Sequence, residues 1–278
     1  MTAAPKSPDP QLSKASAPSS PAISSPQPSP EAKRSPWLTA FRPVENPRLR
    51  IVCFPYAGAG ASAYRLWPAA APEDVEVLAV QLPGRENRLR DPVLTDVANV
   101  VPPLVRALRP LADKVPMVLF GHSMGAAIAH DVARTLIAGG TAPAALVFSG
   151  RRPGHLGPQK DPLHLLEEPA FLEAIRQMGG TPKEVFEHPE LLEVLIPVLR
   201  ADFQMSETYA RSLGQPFPMP VLILAGAKDQ EAPPETVMAW QDLAGGTVES
   251  HVYEDGHFFL HPHCGDIIAR ILRLIASA

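Results

Sequence analysis

The segment Met117-Val118-Leu119-Phe120-Gly121-His122-Ser123-Met124-Gly125 decides the fold of this 278-residue chain. Its first four residues are apolar and predict a buried strand, and the small residues from Met124 to Ala138 predict a helix that Gly139-Gly140 ends. Ser123 thus lies in a tight strand-to-helix turn, and the following helix directs the positive end of its dipole at the serine. This placement predicts that Ser123 is a nucleophile; the alternative is a serine that only caps the helix.

Five more short apolar segments, which we interpret as strands, surround this turn in the sequence. They are Leu49–Phe54, Val75–Val80, 144–148, 221–225 and Val248–Tyr253. They are apolar on both faces, and helix-length stretches separate them, among them 95–112 and 266–275. Buried parallel strands have this composition because crossover helices cover both faces of their sheet. The pattern predicts a doubly wound α/β fold, and Pro102-Pro103 predicts a break or kink in the helix 95–112.

One interval, 151–215, contains no predicted strand. Acidic and leucine-rich patches at 165–178 and 191–203 predict helices there instead. Helical insertions over one edge of a sheet commonly form active-site lids. We therefore expect an α/β-hydrolase domain over residues 37–278, with a mostly parallel central sheet and a helical lid inserted at about 151–215.

Residues 1–36 differ from the rest of the chain in composition. Nine of the 34 prolines fall there among serines and alanines, and Leu12 and Ile23 are the sizeable aliphatic residues. Such a segment buries too little apolar surface to offset the entropy lost on ordering, so we predict a disordered leader.

The overall composition excludes several classes of protein. A formal net charge of -4 argues against a nucleic-acid-binding domain, which is usually basic. No apolar run reaches the roughly 18 residues of a membrane span, and the N-terminus lacks the apolar region of a secretory signal. The two cysteines, Cys53 and Cys264, cannot form a disulfide framework, so we expect a cytoplasmic protein.

A nucleophilic serine needs a histidine base, and the base needs an acid that fixes its tautomer. In α/β-hydrolases the acid follows the serine in the chain and precedes the histidine. Asp229 follows the strand 221–225, at the sheet edge where catalytic groups of such folds gather, and we predict that it is the acid. The alternatives are Asp242, which lies in a predicted helix, and Asp255, which is close in sequence to the predicted base.

His257 follows the last predicted strand and is our predicted base. The other candidates lie beside the serine, inside a strand or further into a polar turn; they are His122, His251, His261 and His263. A zinc site built from His257, His261, His263 and Cys264 is disfavoured, because adjacent residues such as His263 and Cys264 chelate one ion poorly and no second ligand cluster completes the set. We therefore expect no metal.

The glycine-rich loop Gly58-Ala59-Gly60-Ala61-Ser62-Ala63 fits the dinucleotide-binding pattern G-x-G-x-x-G/A. That pattern requires an acidic residue at the end of the next strand, and Val80-Gln81-Leu82 offers none. We therefore expect no nucleotide cofactor. The alternative use of this loop is an oxyanion hole, in which its backbone N–H groups act with the N–H of the residue after the nucleophile.

Six motifs resemble those of the stand-alone type II thioesterases of polyketide and nonribosomal peptide synthesis. They are 53–60, 81–88, 121–125, 149–153, 199–202 and 256–259. The resemblance extends from about Ile51 to the C-terminus. Tyr56 departs from it, because many members of the family have histidine there.

The resemblance implies hydrolysis of acyl groups that are bound as thioesters to the phosphopantetheine arm of a carrier protein, without a cofactor. Ser123 would attack the thioester, His257 would transfer its proton, and Asp229 would orient His257. The N–H groups of Met124 and Ala57 would bind the oxyanion, unless the loop offers its neighbouring N–H. An acyltransferase, a cyclising enzyme or a general carboxylesterase would use the same triad, so these alternatives stay open.

The expected partner is an acyl or peptidyl carrier protein, which a monomer would meet in a transient encounter; nucleic acid and membranes are not expected partners. Four arginines near the expected entrance of the cavity are candidates for short-range contacts with an acidic carrier protein: Arg85, Arg88, Arg151 and Arg152. The alternative is that they solubilise the surface or pair within the domain.

Overall fold

The computed structural model describes residues 1–2, 35–157 and 160–277, so nearly all of the predicted leader 1–36 lies outside the described residues. A seven-stranded sheet forms the centre of the described part, in the order β1-β3-β2-β4-β5-β6-β7. The strands are β1 (Leu38–Ala40), β2 (Leu49–Phe54), β3 (Val75–Val80), β4 (Met117–His122), β5 (Ala145–Ser149), β6 (Val221–Gly226) and β7 (Val248–Tyr253). All neighbours pair in parallel except β1, which is antiparallel to β3.

Seven α-helices connect or flank these strands in the described residues. They are α1 (Trp67–Ala70), α2 (Val97–Ala112), α3 (Met124–Ala138), α4 (Glu168–Met178), α5 (Pro189–Glu207), α6 (Pro234–Val237) and α7 (Cys264–Ala276). Helix α2 continues through Pro102-Pro103, so of the break or kink predicted there the break does not occur. Its buried face, which includes Val100 and Leu104, packs in the same apolar core as α3 and holds the helix together.

The sheet has an apolar core on each face, which explains why its central strands are mostly apolar on both faces. Along β2, Val52 and Phe54 contribute to the core that α2 and α3 cover. Ile51 and Cys53 contribute to the opposite core, which α1 and α7 cover. Successive side chains of a strand point to opposite faces, so a strand covered on both sides contains no polar alternation.

Two edge strands differ from the prediction. Strand β1 was not predicted, because Leu38–Ala40 is too short to show a pattern and its extended form depends on pairing with β3. Strand β7 alternates between exposed and partly buried residues, as an edge strand with one solvated face does.

The described residues between β5 and β6, 150–157 and 160–220, form a helical insertion that contains α4 and α5. The predicted helical patches 165–178 and 191–203 lie mostly within these two helices. The insertion has a small apolar cluster of its own, formed by Phe171, Ile175 and Leu199. It lies over the carboxyl edge of the sheet, where its residues form part of the cavity above Ser123.

Candidate active site

Ser123 occupies the turn between β4 and α3 in a strained conformation, with φ 53° and ψ -123°. Positive φ is uncommon for a residue with a Cβ and is found mainly where the surroundings enforce it. The surrounding backbone leaves room for glycine alone: a Cβ on Gly121 would collide with Gly125 and Ala126, and a Cβ on Gly125 would collide with the carbonyl of Phe54. The Ser123 side chain makes no capping hydrogen bond to α3, so the alternative role as a helix cap does not hold.

The structure brings the three predicted catalytic side chains into one hydrogen-bonded line. The Nε2 atom of His257 lies 3.1 Å from the Oγ of Ser123, and its Nδ1 lies 2.7 Å from Oδ2 of Asp229. Asp229 is buried, and its Oδ1 accepts the backbone N–H groups of Glu231 and Ala232 at 2.9 and 3.0 Å. The carboxylate therefore accepts the Nδ1 proton, which leaves Nε2 free to accept the proton of the serine.

The two alternative acids have other partners. Asp255 lies 3.3 Å from Nε2 of His263, and Asp242 lies 3.5 Å from Nε2 of His155. Neither carboxylate is the one that contacts His257, so the geometry supports Asp229.

The alternative bases are likewise engaged elsewhere. His122 is fully buried and its Nδ1 lies 2.8 Å from the Oγ of Ser149. His261 lies 3.0 Å from the hydroxyl of Tyr56, and His251 lies within β7, as predicted.

His122 is nevertheless a close neighbour of the base, because its ring centroid lies 5.1 Å from that of His257. Burial lowers the pKa of His122 well below its usual range, and the nearby His257 lowers it further. His122 therefore stays neutral near pH 7 and adds no positive charge beside the imidazole that must accept a proton.

The two predicted oxyanion donors lie on elements that border Ser123. Met124 is the first residue of α3, and Ala57 lines the same cavity as Ser123 and His257. The neighbouring N–H in the loop, that of Gly58, donates to Oδ2 of Asp202 at 2.7 Å. Because Gly58 is already engaged, Ala57 is the better candidate for the donor that the loop supplies.

The glycine-rich loop binds protein groups where a nucleotide would otherwise be held. The N–H of Ala61 donates to Oε1 of Gln81 at 3.0 Å. The N–H and hydroxyl of Ser62 donate to Oε1 of Glu86 at 3.1 and 2.5 Å. Gln81 stands at the end of β3, where the dinucleotide pattern requires a ribose-binding acid, and it holds the loop instead.

No three His, Cys, Asp or Glu side chains within the described residues come together as a set of metal ligands. His263 and Cys264, two of the residues considered for zinc, lie at the start of α7, where the His263 ring stacks on Tyr253. In the same part of the chain, no helix is long and apolar enough to cross a membrane.

The cavity above Ser123 has a mixed lining of apolar and charged side chains. Apolar walls come from the loop after β2, from the residue after His257 and from the insertion; they include Tyr56, Phe258, Leu163, Met178 and Phe203. Arg151 lines the same cavity, and its two terminal nitrogens donate to the Oγ and carbonyl of Ser206 on α5 at 2.7 and 2.8 Å. Burial lowers the pKa of Arg151 to about 10, which still leaves it charged at neutral pH.

The four arginines considered for carrier-protein contacts all have partners within the domain. Arg85 is buried against Asp202, Arg88 bonds Asp91, Arg151 bonds Ser206, and Arg152 donates to the carbonyl of Gly157. Pairing within the domain therefore describes Arg85 and Arg151 best, since their guanidinium groups bond to residues of α5.

Comparison with known proteins identifies the family. A family model described as a thioesterase domain matches residues 49–275. The chain belongs to the thioesterase family. The thioesterase PikA5 of Streptomyces venezuelae is 36% identical over 241 residues, which cover 85% of this chain and 85% of that protein. The gramicidin S biosynthesis protein GrsT of Aneurinibacillus migulanus is 35% identical over 245 residues, covering 87% and 95% of the two chains.

A solved structure shows the same relationship in three dimensions. The type II thioesterase BorB from the borrelidin biosynthetic cluster superposes with a TM-score of 0.78 at 31% identity, over 86% of this chain and 97% of that one. The resemblance to type II thioesterases and the α/β-hydrolase fold predicted from the sequence are thereby confirmed. This thioesterase is a hydrolase, and the line from Ser123 to Asp229 is its candidate catalytic triad.

Proposed function

We propose that this thioesterase cleaves acyl groups from the phosphopantetheine arms of carrier proteins in polyketide or nonribosomal peptide synthesis, either to remove stalled chains or to release finished ones. The observation that carries the proposal is the line of Ser123, His257 and Asp229 at the base of a cavity that the insertion helps to enclose. The names of the relatives support the pathway, since one belongs to gramicidin S biosynthesis and another to a borrelidin cluster.

The first half of the reaction forms an acyl-enzyme. The Oγ of Ser123 attacks the thioester carbonyl carbon while Nε2 of His257 takes the serine proton. Negative charge develops on the carbonyl oxygen, where the N–H groups of Met124 and Ala57 stabilise it. The tetrahedral intermediate then expels the thiolate, which receives the proton from His257. Asp229 stabilises the imidazolium throughout and holds its ring in place.

The second half returns the serine to its starting state. A water molecule gives a proton to His257 and attacks the acyl-enzyme carbonyl, and the intermediate releases the free acid as Ser123 takes the proton back. Apart from the water molecule, these steps use side chains and backbone groups of this chain, and the absence of a cofactor stays a prediction. The predicted monomer and the predicted cytoplasmic location stay predictions.

The deciding experiment compares three substrates that carry one acyl group: the acyl-carrier protein, the acyl-pantetheine thioester and an aryl ester. We expect the highest kcat/KM with the carrier protein, because the tethered arm delivers the acyl group to the cavity. The Ser123→Ala variant is the control, and it should lose roughly 10^6-fold in kcat. Faster turnover of the aryl ester than of either thioester would instead identify a general carboxylesterase.

The acceptor is tested separately with water labelled in its oxygen. Hydrolysis places the label in the released acid, whereas transfer to an alcohol or an amine leaves the product unlabelled. An unlabelled ester, amide or cyclic product would overturn the hydrolytic proposal and favour an acyltransferase or a cyclising enzyme. Removal of residues 1–36 should leave kcat/KM unchanged for both the acyl-carrier protein and the acyl-pantetheine thioester. A loss of activity on the carrier-bound substrate alone would assign the leader a docking role.

A further inference from the structure

A buried ion pair joins the insertion to the body of the enzyme. Two guanidinium nitrogens of Arg85, which follows β3, lie 2.5 and 2.8 Å from the two carboxylate oxygens of Asp202 on α5. Asp202 has no exposed surface, and Arg85 is nearly as buried. Such a two-point contact fixes the relative orientation of both side chains.

The same two side chains hold the backbone of the loop after β2. Oδ2 of Asp202 accepts the N–H of Gly58 at 2.7 Å, and Arg85 donates to the carbonyl of Ala59 at 3.0 Å. The N–H of Gly58 belongs to the peptide unit that begins at Ala57. Asp202 therefore sets the plane of the peptide that follows the candidate oxyanion donor.

Helix α5 also supports this loop by direct packing. Gly58 has φ +79°, and a Cβ there would lie 2.6 Å from Cδ2 of Leu199. Leu199 precedes Asp202 by three residues and so lies on the same face of the helix. One face of α5 thus both packs against Gly58 through Leu199 and accepts its N–H through Asp202.

We propose that Asp202 and Arg85 are positioning residues, which hold the loop so that the N–H of Ala57 faces the oxyanion of the transition state. The inference rests on the proposed function, because it requires the serine mechanism. It assigns a role to two motifs that the sequence singled out, 81–88 and 199–202: each contributes one partner of the pair. The insertion then takes part in catalysis through the backbone, in addition to forming a wall of the cavity.

The energetics of buried ion pairs favour an orienting role over a purely stabilising one. Removing two charges from water is costly, and the attraction between them offsets this cost only where the geometry is good and further hydrogen bonds satisfy both groups, so such a pair adds little net stability. A preorganised oxyanion donor, in contrast, is worth about 10²- to 10³-fold in kcat. Loss of the orientation should therefore be visible in the rate beyond any loss of stability.

The chain contains a matched control for the experiment. Arg50 and Glu76 form a second buried pair at 2.8 Å, and Glu76 also accepts a backbone N–H, that of Val44, at 3.3 Å. Arg50 lies near the start of β2, at the opposite end from the loop. Glu76→Ala and Glu76→Gln therefore reproduce the loss of a buried carboxylate away from the active site.

The experiment compares the wild type with Asp202→Ala, Asp202→Asn and the two Glu76 variants. It measures Tm for each, and it measures kcat and KM with an acyl-N-acetylcysteamine thioester at a temperature well below the lowest Tm. It also measures inhibition by a short alkyl boronic acid, which forms a tetrahedral adduct with a catalytic serine. We expect Asp202→Ala to lower kcat about 100-fold and to weaken boronate binding, with KM within about threefold. Asp202→Asn keeps one acceptor oxygen and should lose less.

The Glu76 variants should lower Tm to a similar extent and keep kcat within about threefold of the wild type. Equal kcat in the Asp202 and Glu76 variants, or a loss seen only in KM, would overturn the positioning role. If Asp202→Ala does not fold, Asp202→Asn decides by the same criteria. If neither folds, Arg85→Lys decides, because it keeps the buried charge and loses the second bond. A wild-type enzyme without thioester hydrolysis would instead contradict the proposed function.

Discussion

The central sheet and the helical insertion hold their parts of the active site by different forces. The central strands β2 to β6 are buried throughout, as Val52, Phe120 and Leu146 show with no exposed surface, and the candidate triad lies at the carboxyl edge of the sheet. The insertion buries a small cluster and leaves Leu165 and Leu191 exposed.

Hydrogen-bonded polar pairs anchor the insertion to the body of the enzyme. They are Arg85–Asp202 and Asp131–Arg211. A further pair, Arg151–Ser206, holds the first residues of the insertion to α5. Apolar packing of the sheet thus holds the elements that bear the candidate triad, whereas a few hydrogen-bonded pairs hold the insertion above them. We therefore expect changes in the sheet to abolish catalysis or folding, and changes at the anchors of the insertion to adjust the rate.

The largest expected effect is on the sheet side, at Asp229. Asp229→Asn should lower kcat by about 10^4-fold, because an amide no longer holds His257 in the tautomer that accepts the serine proton. Steady-state kinetics with an acyl thioester measure the loss. Asp255→Asn is the control, since that carboxylate bonds His263 at 3.3 Å, and it should retain most activity. A loss below tenfold in Asp229→Asn would contradict the triad.

Two buried phenylalanines, Phe148 in the sheet and Phe171 in the insertion, allow the stability of the two regions to be compared. Phe148 on β5 stacks on Trp240 with ring centroids 3.7 Å apart, and Phe148→Ala should lower the free energy of unfolding by about 3–5 kcal/mol. Phe171 packs edge-on against the partly buried Phe203, in a cluster that can relax around the cavity. Phe171→Ala should therefore cost less than Phe148→Ala, because a site that collapses leaves a smaller cavity. Urea unfolding measures both, and equal losses would show that the insertion is as rigid as the sheet.

Arg151 tests the pair that holds the first residues of the insertion to α5. Arg151→Met removes both hydrogen bonds to Ser206, so it should lower kcat/KM by about tenfold. The loss should be equal for acyl-carrier protein and acyl-pantetheine, because the side chain acts inside the domain. Parallel assays on the two substrates measure it. A loss confined to the carrier-bound substrate would restore the docking role considered from the sequence.

The smallest expected effect is the pH dependence of stability that His122 contributes. Burial holds the pKa of His122 below its usual range, whereas in the unfolded chain a histidine titrates near about pH 6.5. The unfolded state then binds more protons below that pH, so stability is full above about pH 6.5 and is lost as the pH falls. His122→Asn should reduce this slope by up to about 1.4 kcal/mol per pH unit, measured by urea unfolding from pH 7 to pH 5. An unchanged slope would contradict the assignment.

Local sequence was sufficient for the features that depend on neighbouring residues. The turn at Ser123 could be predicted because a strand, two glycines and a helix follow one another within a few residues. Asp229 and His257 could be predicted because each follows a predicted strand by a few residues, in the order that this chemistry uses. The parallel sheet could be predicted from strands that are apolar on both faces.

Only the tertiary structure decided the features that depend on distant residues. Strand β1 exists through its pairing with β3, and the predicted break in α2 is absent because the buried face of that helix packs in the core it shares with α3. Arg151 lines the cavity and is held there by its hydrogen bond to Ser206 on α5, 55 residues further along the chain. Arg85 and Asp202 are 117 residues apart in sequence, and no local pattern marks two such residues as partners. Periodicity and turn chemistry encode elements and their ends, whereas the pairing of buried polar side chains depends on how those elements pack.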